Sequence, residues 1–285
     1  MKMVSTVLLL FAASLACFAS RTLTDELGRT VTVPDHPHRL ICLVPSVADD
    51  IFALGAGSDV VAVSEFTKYP QEASLKPSIG VQMTPSIERI VSLHPDLVLG
   101  SADSNREETV RQLQQVGIVV FMLNPHGIEG ILSSLSSLGK AIGREDAAAH
   151  LASELRARLD AVRANVKDKP VIRVFMTIWY DPVITIGKRA FITEMIAAAG
   201  GKSITDDLAQ EWPQISLETV IRRAPDALLL VRSSRMSIDD VLNRPGWNTL
   251  PAIRNRRIYL VDERIELPST GAFDALEDLA KQLHP

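Results

Sequence analysis

The amino-acid sequence predicts an α/β fold of two lobes, each a mainly parallel sheet flanked by helices, joined by one long helix and separated by a ligand cleft. Three observations predict it. The stretch SIERIVSLHPDLVLG, from Ser86 to Gly100, returns 130 residues later as SLETVIRRAPDALLL, from Ser216 to Leu230. In both copies Ser-x-Glu opens an amphipathic turn, Pro-Asp follows, and a continuous apolar run reads as a buried strand. Around each copy apolar runs alternate with helical patterns, the order that builds a parallel sheet with helices on both faces. Between the copies, Arg144 to Lys167 carries Leu151, Leu155, Leu159, Val162 and Val166 on one face and charge elsewhere, and Pro170 ends it. About two dozen helical residues span roughly 36 Å. A helix has no soft dihedrals to act as a hinge, so limited opening and closing is expected.

The elements follow in order. Residues 1–19 have the form of a secretory signal: one lysine, an apolar run from Val4 to Phe18, then small residues around Ala19. The run is too short and too lightly flanked to span a membrane. Two processing outcomes stay open. Cleavage after Ala19 leaves Cys42 as the mature cysteine; alternatively Ser-Leu-Ala-Cys17 is a lipoprotein box with Cys17 acylated, although Ser14 stands where an aliphatic residue is expected. Beyond a Cys17–Cys42 pair no internal disulfide is available, so packing must hold the fold. A polar, turn-forming lead-in, TLTDELGRTVTVPDHPHR, precedes a strand from Leu40 to Val44. Ser46 reads as a helix cap, and the helix from Asp49 to Leu54 stops at Gly55-Ala-Gly57, where glycine takes the left-handed conformation. Strands follow at Val60–Val63, Leu97–Gly100 and Ile118–Leu123, with helices at Ser86–Leu93 and Val110–Val116. The second half repeats this syntax: a strand at Ile172–Ile178, a helix at Phe191–Ala199, a short strand near Ser203, a helix from Ser216, and strands at Ala227–Val231 and Arg257–Val261. The expected organisation is a signal peptide (1–19), a first lobe (20–143), a connecting helix (144–168) and a second lobe (169–285).

Composition narrows the function. A formal net charge of -4 offers no polycationic surface, which argues against nucleic acid as a partner. The sequence contains no Gly-x-Ser-x-Gly, no Walker loop and no dinucleotide fingerprint, and the paired acids Asp49-Asp50 and Asp206-Asp207 read as solvated. Of the six histidines only His36 and His38 are close neighbours, whereas a metal needs three or four converging ligands. Neither catalysis, nor a metal site, nor a resident cofactor is expected. With aromatic residues at only 5% of the chain, the tryptophans carry weight. Trp212 lies on a loop just before a helix, and Trp179 and Tyr180 follow the first strand of the second lobe; both are cleft-edge positions in a parallel α/β lobe. Glu88 and Glu218 recur at matching points of the duplicated unit, where the bare helix macrodipole would also welcome an acid.

The segments TDELGRTVTVP, RLICLVPSVADDIFALGAG, SEFTKYP, the paired SIERI and SLETV, EWPQISLE and PGWNTLPAIRNRRIYLVD together give the chain its likeness. From about Thr22 to Pro285 it resembles a helical-backbone (class III) substrate-binding protein of ABC importers for cobalamin, haem or ferric siderophores. WPQIS and the Tyr-Pro segment are most similar to the cobalamin-binding branch. The resemblance implies a periplasmic monomer that captures cobalamin or a related corrinoid between its lobes and delivers it to a membrane permease dimer. It implies that Phe66, Tyr69, Trp179, Tyr180, Trp212, Glu263, Arg264 and Glu266 contact the ligand, and that Glu88 and Glu218 grip arginines of the two permease subunits. Flat rings suit a planar macrocycle because they bury area at little rotamer entropy. Two departures stand out: Gln82 replaces a tryptophan of some cobalamin binders, and no arginine occurs near Gly271. Haem, with Tyr69 or His126 as axial ligand, or a ferric siderophore is the alternative cargo, and a two-lobed chelatase-like enzyme the alternative class.

Overall fold

The computed structural model describes residues 19–232 and 237–285, so the expected signal segment and Cys17 lie outside the described residues. The lead-in is not merely a series of turns. It forms an antiparallel hairpin of β1 (Ser20–Thr24) and β2 (Thr30–Pro34). The alternation in TVTVP buries Val31 and Val33, and the Asp25 carboxylate closes the turn by accepting from the backbone N–H groups of Leu27 and Arg29.

The first lobe holds a parallel sheet of β3 (Leu40–Cys42), β4 (Val60–Val63), β5 (Leu97–Ser101) and β6 (Val120–Leu123) in the order β4-β3-β5-β6. Between these strands run α1 (Pro45–Ala53), α2 (Gln71–Ser74), α3 (Ile87–Ser92) and α4 (Glu107–Gln115). The first helix starts earlier than the sequence suggests. Pro45 occupies its first turn, where a missing N–H costs nothing, so Ser46 lies inside the helix and buried, and does not cap it.

Two helices, α5 (Gly127–Ile142) and α6 (Glu145–Val166), link the lobes; the expected joining helix has a companion. Both straddle the boundary. In α5, Ile128 to Leu135 pack into the second lobe, while Leu138, Ala141 and Ile142 pack into the first. In α6, Ala148 belongs to the first core and Leu155, Leu159, Val162 and Val166 to the second. Gly143, at φ 71°, turns one helix into the other, and a Cβ on Gly139 would meet the Ala148 methyl at 2.5 Å. A paired, interdigitated joint resists bending more than a single helix.

The second lobe is built on β7 (Ile172–Tyr180), β8 (Val183–Thr185), β9 (Gly201–Ser203), β10 (Ala227–Val231) and β11 (Ile258–Val261). Its order is β11-β10-β7-β8, with β9 also on β7; all pairings are parallel except that of β8. Its helices are α7 (Phe191–Ala198), α8 (Leu217–Arg223), α9 (Ile238–Asn243), α10 (Pro251–Arg254) and α11 (Ala272–Leu283). Alternate residues of β10 feed two cores: Leu229 and Val231 pack with the linking helices, whereas Leu228 and Leu230 pack with Phe175 and the fully buried Trp247.

Candidate ligand cleft and docking surface

The loops that leave the C-terminal ends of the two sheets meet. After β4, Lys68 Nζ lies 2.8 Å from Glu263 Oε2, and the Tyr69 hydroxyl donates to Glu263 Oε1 at 3.0 Å. Glu263 opens a 3-10 turn, Glu263–Glu266, after β11. The Arg264 guanidinium stands 5.5 Å from the centre of the Tyr69 ring, and Asp262 and Asp274 hold it by ion pairs at 3.1 and 2.6 Å. Burial, and next the hydrogen bond to Glu263, push the Tyr69 phenol above its ordinary pKa. Three of the residues expected at the cleft are thus brought together, and they bridge the lobes.

A second bridge involves residues the sequence reading assigned to solvent. Asp49 Oδ2 accepts from Ser269 Oγ at 2.7 Å and from the Gly271 N–H at 2.9 Å, and Asp50 Oδ1 accepts from the Thr270 N–H at 2.8 Å. The pair leaves α1 of the first lobe and grips the start of α11 in the second. Asp50 is only 4% exposed. Burial, followed by the Asp49 charge, pushes its carboxyl well above the ordinary carboxylate range. Solvation does not explain this pair; contact between the lobes does. Local sequence shows only two acids in a helix, and nothing in it announces a partner 220 residues away.

The aromatic candidates are exposed. Phe66, in the loop after β4, is 59% accessible, Trp179 is 45% and Trp212 is 44%. Chain pairing relates the two tryptophans. Trp179 of β7 pairs with Ile184 of β8, whose other edge bridges to Gln214; Thr185 and Gly187 donate to the carbonyls of Pro213 and Glu211. In such a ribbon directly paired residues share a face, as do residues two apart along one strand. Trp179, Ile184, Gln214 and Trp212 therefore lie on one face, and Val183, Pro213 and Ile215 are buried behind it. Trp179 and Gln214 lie two strand spacings, ~10 Å, apart, and Trp212 is two residues, ~7 Å, further along, which sets the tryptophan backbones ~12 Å apart. Tyr180 ends β7, paired with Val183, and Glu266 ends the 3-10 turn, half-buried. Gln82 is tied to the end of β5: its carbonyl accepts from Asn105 Nδ2 at 3.0 Å.

A cavity of about 850 Å³ lies elsewhere, between α1, α6 and α11, and its walls include Phe52, Leu155, Arg158 and Asp274. Its two arginines are already paired, Arg158 with Asp274 and Glu277, and Arg264 with Asp262 and Asp274, while Lys76 stands 6.0 Å from the centre of the Phe52 ring. None of the exposed aromatics lines it. Cys42 is buried in the first core, and burial pushes its thiol up to about 12, so it is inert.

The duplicated unit is reproduced in three dimensions. Ser86 caps α3 and Ser216 caps α8, each accepting at 3.2 Å from the N–H three residues on. Glu88 and Glu218 sit in the first turns, exposed, with no hydrogen-bond or ion-pair partner among the described residues. The far ends of the helices match as well. Arg39 donates to the carbonyls of Leu93 and His94, and Arg173 to those of Arg223 and Ala224. His94 and Ala224 both take positive φ, 44° and 46°. Asp96 accepts from the Arg39 N–H at 3.0 Å and Asp226 from the Arg173 N–H at 3.1 Å, which gives Pro-Asp its structural role.

Residues 40–265 match the family described as periplasmic binding protein. The chain belongs to that family. An ABC transporter substrate-binding lipoprotein of Bacillus subtilis (strain 168), YvrC, is 28% identical over 272 residues, 93% of this chain and 85% of that protein. A vitamin B12-binding protein of Vibrio parahaemolyticus is 28% identical over 254 residues, covering 88% of this chain and 92% of its own. Among solved structures, the periplasmic heme-binding protein RhuT of Roseiflexus sp. RS-1, in apo form, is 28% identical with a TM-score of 0.80, over 87% of this chain and 98% of that one. This family member is a binding protein and not an enzyme. Among its described residues no helix is long and apolar enough to cross a membrane.

Proposed function

We propose that this periplasmic binding protein captures cobalamin or a related corrinoid outside the cytoplasm and hands it to the permease dimer of an ABC importer. The observation that carries the reading is the ribbon face bearing Trp179 and Trp212. It offers two exposed indoles on a rigid edge at the C-terminal ends of the strands, and Phe66 stands on the loop that meets the second lobe. Exposed rings are costly without an occupant, and flat rings at this spacing fit a broad macrocycle. On this reading Phe66, Tyr69, Trp179, Tyr180, Trp212 and the Glu263, Arg264 and Glu266 loop contact the ligand. Glu88 and Glu218, unpartnered at equivalent points, meet two equivalent cations on a two-fold membrane partner. Residues 1–19 direct export, with Cys17 either removed or acylated. The vitamin B12-binding relative supports the choice of cargo.

Haem is the competing ligand, supported by the likeness to the heme-binding RhuT. One observation weighs against Tyr69 as its axial ligand. An iron-bound tyrosine is a phenolate, whereas the Tyr69 hydroxyl in this structure is committed as a donor to Glu263 Oε1 at 3.0 Å. Thermal melts of the purified protein with cyanocobalamin, haemin or a ferric hydroxamate decide the matter. Ligand at about 100 Kd stabilises by about 2.7 kcal/mol, a clear rise in Tm. A rise with cyanocobalamin supports the reading; a rise with haemin or the siderophore alone replaces it.

A further inference from the structure

Most of what the two Ser-x-Glu units share is explained by the fold. The serines are caps, Ile90 and Val220 are fully buried, and Pro-Asp serves the arginine grip described above. Elsewhere the helices have diverged: Arg89 corresponds to Thr219, Ser92 to Arg222 and Leu93 to Arg223. Two exposed positions survive that have no role in packing, capping or turning. One is the glutamate. The other is an aliphatic residue three further on, Val91 at 37% accessible and Ile221 at 36%. Three residues of helix bring the second side chain within about 60° of the first, on one face and a single turn away. A lone exposed aliphatic residue is ordinary. Its return at the same place beside the same free carboxylate, while its neighbours changed, is not.

The surface is also rigid. Each helix is capped at its start and gripped at its end by an arginine that takes its last carbonyls, so the spacing of the carboxylate and its aliphatic neighbour is preset in both lobes.

We infer that each lobe docks by a two-point footprint, a carboxylate with an aliphatic contact one turn away: Glu88 with Val91 and Glu218 with Ile221. The occupant is a two-fold membrane dimer that presents, on each subunit, a cation beside an apolar patch. The carboxylate supplies charge complementarity and encounter rate, and the aliphatic contact supplies desolvated area that slows release. This rests on the docking reading above.

The test uses the full mature protein without ligand, so it does not depend on the identity of the cargo. Its binding to the producing organism's own ABC importer, purified in nanodiscs, is measured for wild type, Val91→Ser with Ile221→Ser, Val91→Ile with Ile221→Val, and Glu88→Ala with Glu218→Ala. The serine pair is expected to weaken binding about tenfold through faster release, with Tm within a degree or two of wild type, and the swapped aliphatic pair to bind as wild type. Unchanged binding by the serine pair, when the alanine pair binds poorly, overturns the footprint and leaves the glutamates as the docking points. Unchanged binding by both pairs overturns the docking reading itself.

Discussion

The first lobe ends its sheet at β4 and sends out a loop bearing Phe66, Lys68 and Tyr69, whereas the second adds an antiparallel ribbon that carries Trp179 and Trp212. The Ser-x-Glu units of the same two lobes agree down to the arginine that grips each helix end. Duplication has been kept where a symmetric partner and a common fold would both need it. It has been abandoned in the segments that carry the exposed aromatic residues, as the proposed capture of an asymmetric ligand requires.

The strongest way to break this contrast is to reverse both charges. Glu88→Arg with Glu218→Arg should abolish ATP-driven uptake of radiolabelled cyanocobalamin by importer proteoliposomes, while binding of cyanocobalamin in free solution stays as in wild type. An equal loss in both assays would place the glutamates in the cleft. Next come the rings. Trp179→Ala and Trp212→Ala should each weaken cobalamin binding by roughly 10- to 100-fold in titration calorimetry, about 1.4 to 2.8 kcal/mol, with docking intact. If Phe66→Ala costs more than either, the first lobe dominates recognition and the ribbon loses its special place.

A smaller effect concerns the joint between the lobes. Asp50 has a folded pKa above its unfolded value, so the folded chain keeps that proton to higher pH. The associated stability is complete below the ordinary carboxylate pKa of about 4 and is lost as pH rises through the folded value. Asp50→Asn keeps an acceptor for the Thr270 N–H and cannot ionise. Its Tm, followed by calorimetry from about pH 4 upward, should fall less than that of wild type; parallel curves would mean that Asp50 does not titrate in this range. The smallest effect tests the symmetry itself. Ser86→Ala and Ser216→Ala should each cost about 1 kcal/mol in urea unfolding, Ser216→Ala somewhat the more, because its hydroxyl also bonds the Thr219 hydroxyl at 3.0 Å.

Hydrophobic period and punctuation made much of the scaffold legible. Strands β3, β4, β5, β6 and β10 are short apolar runs bounded by turn residues, and their positions could be read directly. Helix α5 escaped because its apolar face is diluted by serines and glycines, as in GILSSLSSLGK, and α11 because alanines carry much of its buried face. The β1–β2 hairpin was masked by charged turn residues, although TVTVP already alternates. Among the proposed site residues, Glu88 and Glu218 were visible because the chain repeats itself, and Trp212 because an aromatic before a helix start is unusual in so aromatic-poor a chain.

By itself the sequence determined the two-lobed α/β class, the duplicated helix starts and the binder-like character, since these depend on local pattern and residue type. Only the tertiary structure decided that Trp179 and Trp212 share a face through β8, that Glu263 answers Lys68 and Tyr69, and that Asp49 and Asp50 join the lobes. The reason is physical. Local pattern is written within a turn or a strand, whereas a hydrogen bond between residues 194 or 220 positions apart exists only once two independent cores have been packed against one pair of helices.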